Sequence, residues 1–476
     1  MRILGIIRSG SGRVRNAFLL FCISVCAGCA GLPAGDAQVA SPKNIIILFA
    51  DGAASTQWEF GRYSSGVLRR QPFATTDVVF KQGTLGLATT HPHGAFVTDS
   101  AAAGSAMSTG FKVTNGSVSI TPDGKPARTA MEVAKASGKR IGLVTTATVY
   151  DATPAAFSVH AKSRSESQSI VDQYLVLEPD VLLGGGAEYF QPVTVPGGKR
   201  KDGKDVIAAF RAKGWQVVRN TAELNAAGSA KVLGLFSDDD MDFEIDRDAA
   251  KEPTTAEMAA AALKALSQSN ANGFVLLVEN ENVDTAGHAN DAAALMRALW
   301  AFDDAVKVAL DYQRSHPETL ILITGDHETG GLSPTYALKD LKDMTSRNRY
   351  YTGDAQLQML ARITMSFNMV KEKLGDKPAG PALDELLAKH LPGFTLDPDL
   401  RELVLAGRPL ERNTSYLPQN TLARMVARQA GIYWGTSGHT PEPVVIGAMG
   451  PGEQLFRGYQ DNTDFGKSLH RLISGR

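Results

Sequence analysis

Residues 44–52 read Asn-Ile-Ile-Ile-Leu-Phe-Ala-Asp-Gly, an apolar run that ends in a carboxylate and a glycine. The run is apolar throughout rather than at alternate positions, which is typical of a strand covered on both faces. Three further runs have this form, each followed by an acidic residue: 140–145 before Asp151, 274–278 before Glu279, and 320–324 before Asp326. Helical patterns such as 256–267 and 292–312 lie between them. This alternation predicts an α/β fold, a three-layer sandwich with a central, mostly parallel sheet.

The acidic residues that follow these apolar runs in the sequence indicate where a functional site would lie. Parallel strands end at one edge of their sheet, and ligands bind in the crevice outside that edge. The region at about 331–430 interrupts the alternation, because it has helical stretches such as 356–373 and little strand character. We interpret this region as a helical, crown-like insertion over the sheet edge or the mouth of the site.

The composition is that of a folded, globular protein. The 476 residues are 43% hydrophobic and 21% charged, which excludes disorder as the main state of the chain. The 49 basic and 50 acidic residues give a formal charge of −1, so there is no broad positive field to hold nucleic acid. Three cysteines, Cys22, Cys26 and Cys29, fall within the first 29 residues, and they cannot supply a disulfide framework.

Residues 1–28 have the pattern of an export signal. Four arginines without an acidic partner precede an apolar run at 17–25, which is too short to cross a bilayer as a mature helix. The segment 25–29, Val-Cys-Ala-Gly-Cys, resembles a bacterial lipoprotein signal, although Cys26 stands where an aliphatic residue is usual. Cleavage without lipidation near Ala30 or Ala37 is the alternative.

Either form of the signal predicts an exported protein of the periplasm or the cell envelope. A lipid on Cys29 would provide its membrane contact, and it would remove a free thiol from an oxidising compartment. The stretch 29–41 is rich in Ala, Gly and Pro and has the character of a tether, which leaves 42–476 as the folded domain.

Asp284 and His288 form the first pair of candidate metal ligands. They stand four residues apart, so a helix places both on one face about 6 Å apart along its axis, within reach of one divalent ion. A surface Asp–His pair is the alternative. Asp51, at the end of the first apolar run, is another candidate ligand. The alternative is that it only caps the helix that starts near Ser55.

Asp326 and His327 directly follow a buried run. Adjacent residues point apart in a regular strand, and the flanking glycines allow the turn that both side chains need to reach one ion. His439 lies in a loop before 444–449, which we expect to be the last strand.

The mixture of ligand types points to two kinds of metal. Histidines together with carboxylates suit Zn²⁺ better than Ca²⁺. Thr153, Glu279 and Asp51 would form an all-oxygen set that suits Mg²⁺.

Ser100 is the candidate nucleophile. It follows Asp99 at the start of an Ala-rich helix that ends near Gly110, where free N–H groups and the helix dipole favour an anion. The alternative is that Asp99 or Ser100 is merely the helix cap. A Gly-x-Ser-x-Gly motif is absent here, so activation by a metal is the better mechanism for this serine.

These residues together resemble the alkaline phosphatase family, from about Lys43 to Lys467. The resemblance rests on the order and spacing of several segments, whereas any single one would be unspecific. They are residues 49–52, 98–102, 151–156, 163–164, 180–186, 278–279, 326–331 and 437–440, with Asp284 and His288.

The resemblance implies two zinc ions and one magnesium ion. Asp284, His288 and His439 look like the ligands of one zinc, and Asp326, His327 and Asp51 look like those of the other. Asp51 would also bind the magnesium with Thr153 and Glu279, while Asp151 would reach it through water. Ser100 matches the phosphorylated nucleophile, and Arg164 matches the group that grips two phosphate oxygens, with Asp99 helping to orient it.

The implied reaction is the hydrolysis of small phosphate monoesters. A guanidinium that holds two oxygens favours monoesters, because a diester blocks one of them. Two departures from the family pattern stand out: Thr285 replaces a Lys of some bacterial members, and Ala53 and Ala54 follow Gly52 where Met is frequent. The resemblance leaves open whether the chain forms a homodimer.

Three other functions compete with this one. A phosphodiesterase or a phosphonate-cleaving relative would share the metal core, but some of these relatives use Thr as nucleophile and lack the Arg. A sulfatase motif needs a Pro where Ala102 stands. A surface protein that binds metal or phosphate without turnover would not need Ser100.

Overall fold

The strand predicted at 44–50 lies inside a ten-stranded sheet. The computed structural model describes residues 41–339, 349–375 and 378–475. Within this part of the chain the strands of the sheet lie in the order 458–460, 84–88, 444–449, 319–324, 44–50, 274–280, 140–148, 181–185, 232–235 and 216–218. All ten run in one direction except 444–449, which is antiparallel to 84–88 and 319–324. The predicted α/β fold with a mostly parallel central sheet is confirmed.

The strands have the following bounds: β1 Asn44–Ala50, β2 Thr84–Ala88, β3 Arg140–Thr148, β4 Val181–Gly185, β5 Gln216–Val218, β6 Val232–Leu235, β7 Phe274–Asn280, β8 Thr319–Thr324, β9 Glu328–Thr329, β10 Leu332–Pro334, β11 Tyr336–Leu338, β12 Arg349–Tyr351, β13 Ile432–Trp434, β14 His439–Thr440, β15 Val444–Met449 and β16 Gly458–Gln460. The pairs β9–β14, β10–β13 and β11–β12 form separate two-stranded ribbons.

The α-helices have the following bounds: α1 Ser55–Ser64, α2 Ser100–Thr109, α3 Ala130–Ala136, α4 Ala152–Ser158, α5 Ser167–Leu177, α6 Val206–Ala212, α7 Thr221–Asn225, α8 Thr255–Ser267, α9 Asn282–Ala289, α10 Ala292–Ser315, α11 Asp354–Ala361, α12 Phe367–Leu374, α13 Gly380–His390, α14 Pro398–Ala406, α15 Gln419–Ala430 and α16 Asn462–Ser474. None of the helices in the described ranges is both long and apolar enough to cross a membrane.

Strand β1 is buried on both faces, as its continuous apolar pattern predicts. Successive side chains of a strand point to opposite faces of its sheet. Ile46 and Leu48 belong to the apolar cluster that includes α8 and α10. Phe49 points to the other face, where its ring packs edge-on against Phe157 of α4 with centroids 5.9 Å apart. Helices therefore cover both faces of the sheet.

Two boundary predictions are wrong. The strand at 444–449 is not the last one, because β16 follows and pairs with β2 at the edge of the sheet. The helical stretch predicted at 356–373 is two helices, α11 and α12, separated at 362–366. Ser366 begins the second helix, since its side chain accepts a hydrogen bond from the Met369 N–H at 3.0 Å.

The region interpreted as an insertion contains α11 to α15 and the short strands β10 to β12. It contacts the sheet domain near α9 and the start of α10. The Phe367 N–H donates to the Asp291 carboxylate at 2.7 Å, and the Asn420 side chain donates to the His288 carbonyl at 3.0 Å. The predicted export signal at 1–28 and all but the last residue of the tether at 29–41 lie outside the described residues.

Candidate active site

The carboxylates of the central strands meet at the carboxyl edge of the sheet. β1 pairs in parallel with β7 and with β8, and this register sets Phe49 beside Glu279 and Thr324. Asp51 follows Phe49 by two residues and Asp326 follows Thr324 by two residues, and the carboxylates of Asp51, Glu279 and Asp326 are at most 1% exposed. The Gly52 N–H donates to Asp326 Oδ1 at 3.2 Å, which ties the two strand ends together.

A first group of metal-binding donors comes from α9 and β14. Asp284 and His288 lie one turn apart on α9, with Asp284 Oδ2 3.1 Å from His288 Nε2. His439 Nε2 lies 3.1 Å from His288 Nε2 and 3.7 Å from Asp284 Oδ1. One carboxylate and two imidazoles thus converge on a single point, as a divalent ion requires.

A second group adjoins the first one. Donor atoms of Asp51, Asp284 and His327 lie within 4.8 Å of one another. Asp326 Oδ2 is 3.1 Å from His327 Nε2, and Asp51 Oδ1 is 3.7 Å from the same nitrogen. Asp284 therefore stands between the two groups, whereas the sequence assigned it to the first group alone.

Backbone carbonyls fix two of the imidazole rings. Nδ1 of His288 lies 2.6 Å from the Ser437 carbonyl, and Nδ1 of His439 lies 2.8 Å from the Thr98 carbonyl. An Nδ1–H that donates outward leaves Nε2 free to face the cluster, which is how histidine ligands are commonly oriented. The Thr98 contact also joins the loop of His439 to the loop before Ser100. Sequence reasoning assigned no role to these carbonyls, because a backbone contact leaves no residue-type signal.

Two side chains of β9 hold the metal-binding loops and were not assigned a role from the sequence. The hydroxyl of Thr329 donates to Asp284 Oδ1 and lies 3.2 Å from His327 Nδ1. The buried carboxylate of Glu328 accepts from four donors: Gln57 Nε2 of α1 at 2.6 Å, the Thr440 hydroxyl of β14 at 2.7 Å, and the N–H groups of Gly331 and Leu332 at 3.0 and 3.2 Å. The sequence signal that could have found Glu328 and Thr329 is their position directly after Asp326 and His327.

Gly52 allows β1 to end in a tight turn against α9. Its φ is +77°, and a Cβ at this position would lie 2.8 Å from the Asp284 Cα and 2.9 Å from the Thr329 hydroxyl oxygen. Any larger residue would clash with backbone and adopt an unfavourable conformation. Packing therefore requires the glycine after Asp51, in addition to the site's own requirement for the Asp51 carboxylate.

A third group of donors consists of oxygens. The Thr153 hydroxyl of α4 lies 3.4 Å from Asp51 Oδ2. Glu279 Oε2 accepts from the hydroxyl of Thr145 on β3 at 2.6 Å, a contact that the sequence did not predict. Oxygen donors of this kind are those that Mg²⁺ prefers.

Several buried carboxylate oxygens at this edge have no hydrogen-bond donor among the described residues. They are Asp51 Oδ1, Glu279 Oε1 and Asp326 Oδ2. A buried, unpaired carboxylate is unfavourable unless a cation compensates for it. These oxygens and the three histidines fit divalent cations, so the residues present match a metal-binding site.

The pKa values of the site follow from burial and crowding of like charges. Burial, and then the charges of Asp326 and Asp284, raise the pKa of Asp51 well above its usual range. Burial raises the pKa of Glu279 to about 8. Burial would lower the pKa of His288, but the carboxylate of Asp284 outweighs this and raises it to about 9. Without cations the site therefore retains protons on groups that would otherwise release them.

Ser100 lies inside this cluster. It is the first residue of α2 and 4% exposed, and its Oγ is 3.2 Å from His327 Nε2. Asp99 is the helix cap, because its side chain accepts from the Ala102 N–H at 2.9 Å. The two sequence alternatives thus fall on different residues: Asp99 caps the helix and Ser100 faces the metal-binding groups.

Arg164 lies beside Asp99 and Asp151. Its Nη2 is 3.0 Å from Asp151 Oδ1, and its Nη1 is 3.7 Å from Asp99 Oδ2. Burial would lower its pKa, but these carboxylates raise it, so the guanidinium stays charged. Each candidate residue from the sequence therefore lies in one continuous group at the carboxyl edge of the sheet.

The parallel sheet and the donor groups at its edge define the class of protein: an α/β protein with a candidate metal centre at the carboxyl ends of its strands. The alkaline phosphatase family model matches residues 42–474, and the chain therefore belongs to this family, as its motifs predicted.

Alkaline phosphatase 3 of Bacillus subtilis is 31% identical over 90% of this chain and 89% of its own length. The repressible alkaline phosphatase of Saccharomyces cerevisiae is 32% identical over 90% of this chain and 81% of its own. The crystal structure of Thermus thermophilus alkaline phosphatase aligns with a TM-score of 0.82 at 30% identity, covering 94% of this chain and 96% of that one.

Thr285 borders an acidic cavity next to the metal-binding groups. Its hydroxyl donates to Glu281 Oε1 at 2.5 Å. Both residues line a cavity of about 220 Å³ whose wall also carries Asp239, Asp240, Asp242, Asp246 and Glu372. Burial raises the pKa of Asp240 to about 7 and that of Glu281 well above its usual range. The Thr285 hydroxyl is thus held by a carboxylate at one of the positions where the motifs depart from the family pattern.

Removal of the metals should make the stability of the protein fall between about pH 7 and about pH 9. Glu279 and His288 have folded-state pKa values of about 8 and about 9, above those of the unfolded chain. In this pH window the metal-free folded state therefore holds protons that the unfolded chain has already released. Its free energy of unfolding falls as the pH rises and these protons dissociate. Bound cations replace these protons, so the fall should be much smaller in metal-loaded protein. Thermal unfolding of chelated and of zinc- and magnesium-loaded samples across the window tests this, and identical pH profiles would contradict it.

Proposed function

We propose that this protein hydrolyses phosphate monoesters through a phosphoserine at Ser100, with two zinc ions and one magnesium ion. The observation that carries the proposal is the position of Ser100, buried at a helix N-terminus and 3.2 Å from His327 within the metal-binding groups. A protein that only bound metal or phosphate would not need a hydroxyl there. The family membership and the names of the relatives support this activity.

The proposed ligands follow the three groups of donors. Asp284, His288 and His439 would hold one zinc, and Asp51, Asp326 and His327 the other. Asp51, Thr153 and Glu279 would hold the magnesium, with Asp151 reaching it through water. When bound, the cations neutralise the charge of the phosphate and favour the ionised form of the serine hydroxyl.

The chain's own groups position the phosphate and the nucleophile. Ser100 Oγ forms a bond to phosphorus while the bond from phosphorus to the ester oxygen breaks, and the alcohol leaves. Water then attacks the phosphoserine, which releases inorganic phosphate and restores the hydroxyl. The free N–H groups at the start of α2 favour the anionic phosphate.

Arg164 would hold two oxygens of the phosphate. A guanidinium presents parallel N–H donors that match two such oxygens. Asp151 and Asp99 lie 3.0 and 3.7 Å from its terminal nitrogens and set its orientation. Because a diester has one of these oxygens esterified, this geometry favours monoesters over the phosphodiesters of a rival hydrolase.

Replacement of Ser100 by Ala should remove nearly all hydrolysis of p-nitrophenyl phosphate, on the order of 1,000-fold or more in kcat. The metal ligands remain in place, so zinc and magnesium content by mass spectrometry should equal that of the wild type. Steady-state kinetics with parallel metal analysis makes the test. Unchanged turnover with full metal content would refute the nucleophile assignment.

Arg164→Ala should weaken monoester hydrolysis much more than diester hydrolysis. The loss in kcat/KM for p-nitrophenyl phosphate should be about 100-fold, because a charge-assisted, two-point contact is removed. Arg164→Lys is the matched control, since it keeps the charge without the paired donors. Its kcat/KM for p-nitrophenyl phosphate should lie between those of the wild type and Arg164→Ala. Bis-p-nitrophenyl phosphate serves as the diester, and equal losses on both substrates would count against a monoesterase site.

We further propose that the chain is exported and anchored by a lipid on Cys29, with the periplasm or cell envelope as its location. The support is the sequence pattern at 1–28 and the cysteine that follows small residues. Mass spectrometry of the mature protein from a bacterial host should find a lipidated Cys29 as its first residue. An unmodified start at Gly31 or Gln38 would exclude the anchor.

A further inference from the structure

Tyr416 lies against the first metal-binding group but belongs to the insertion. Its ring stacks on that of His288, with centroids 5.2 Å apart and planes inclined by 16°. The residue is 38% exposed, so part of it remains open to solvent at the mouth of the site. It lies in the connection between α14 and α15, outside every segment that carries the family resemblance.

Hydrogen bonds on both sides fix this tyrosine relative to the metal-binding groups. The Ser415 N–H donates at 3.0 Å to the hydroxyl of Ser437, two residues before His439. The Tyr416 N–H donates to the Asn420 side chain at 2.8 Å, and Asn420 in turn donates to the His288 carbonyl at 3.0 Å. The segment that carries the ring is thus bound both to α9, which carries His288, and to the loop that leads into β14 and His439.

The position of Tyr416 beside His288 decides which part of a substrate it can meet. His288 belongs to the first metal-binding group together with His439, whose ring stacks on that of His327 with centroids 3.6 Å apart. Nε2 of His327 lies 3.2 Å from Ser100 Oγ. A phosphate ester attacked by Ser100 would therefore lie beside this group, with the ring of Tyr416 as an aromatic wall on the far side of His288.

We propose that Tyr416 binds the leaving group of the substrate and favours planar, aromatic leaving groups over small aliphatic ones. The proposal rests on the phosphomonoesterase function, in which the ester would be cleaved beside the group formed by Asp284, His288 and His439. An aromatic ring offers stacking and edge contacts to another ring that an aliphatic alcohol cannot match. Tyr416 is then a specificity-determining residue that the insertion, rather than the sheet domain, supplies.

The test compares phenyl phosphate with glycerol 2-phosphate in metal-loaded wild type and in Tyr416→Ala. Loss of the ring should raise KM for phenyl phosphate about 3- to 10-fold, while KM for glycerol 2-phosphate changes less than about 2-fold. Metal content and both kcat values should stay near those of the wild type. Tyr416→Phe, which keeps the ring, should retain the low KM for phenyl phosphate.

Two further measurements separate binding from a structural role. Tyr351→Ala is the matched control, because Tyr351 is 71% exposed on the same insertion and packs against Tyr336 with centroids 5.7 Å apart. It should leave the ratio of the two KM values unchanged. Inhibition constants of phenylphosphonate and methylphosphonate, measured for Tyr416→Leu as well as Tyr416→Ala, should show the same selective loss for the aromatic inhibitor.

The outcomes are distinct. Equal changes in KM or inhibition constant for aromatic and aliphatic compounds, or a loss of zinc with a fall in kcat for both substrates, would overturn the proposal and leave Tyr416 as a support for His288. A wild type that hydrolyses neither monoester would instead refute the phosphomonoesterase function on which the proposal rests.

Discussion

The site depends on carboxylates of like charge that are buried together at the ends of parallel strands. Asp51, Glu279 and Asp326 lie at the carboxyl edge of β1, β7 and β8, almost without solvent. Several of their oxygens have no donor among the described residues. Such an arrangement is stable when protons or cations offset the charge, and divalent cations do so while leaving the groups ionised. The sheet thus creates a site whose buried negative charge protons or divalent cations must offset.

The remaining parts of the site orient ligands around this core. Thr98 and Ser437 bind the Nδ1 atoms of two histidines through backbone carbonyls, so that the Nε2 atoms face inward. Glu328 joins the Asp–His loop to α1 and β14 through one hydrogen bond to each, from Gln57 and from Thr440. Because these contacts come from distant parts of the chain, the metal-binding geometry and the fold stabilise each other.

The insertion adds a layer that differs in character from the sheet domain. It is mainly helical and is attached at the buried Asp291 carboxylate and through Asn420, on the side where α9 carries Asp284 and His288. The sheet domain supplies the proposed ligands and nucleophile, and the insertion supplies an aromatic side chain at the mouth. This division allows substrate preference to vary without disturbing the metal-binding groups.

The sequence alone determined the parallel sheet, since continuously apolar runs such as 44–50 that alternate with helical patterns are typical of strands buried on both faces. It also determined which residue types gather at the ends of these strands. It did not predict the division of the helix in the insertion, the edge strand β16, or the place of Asp284 between two groups of donors. Helix ends and short edge strands depend on local capping and neighbours rather than periodicity. Contacts of Thr145, Glu328 and Tyr416 join residues more than a hundred positions apart, so only the tertiary structure decides them.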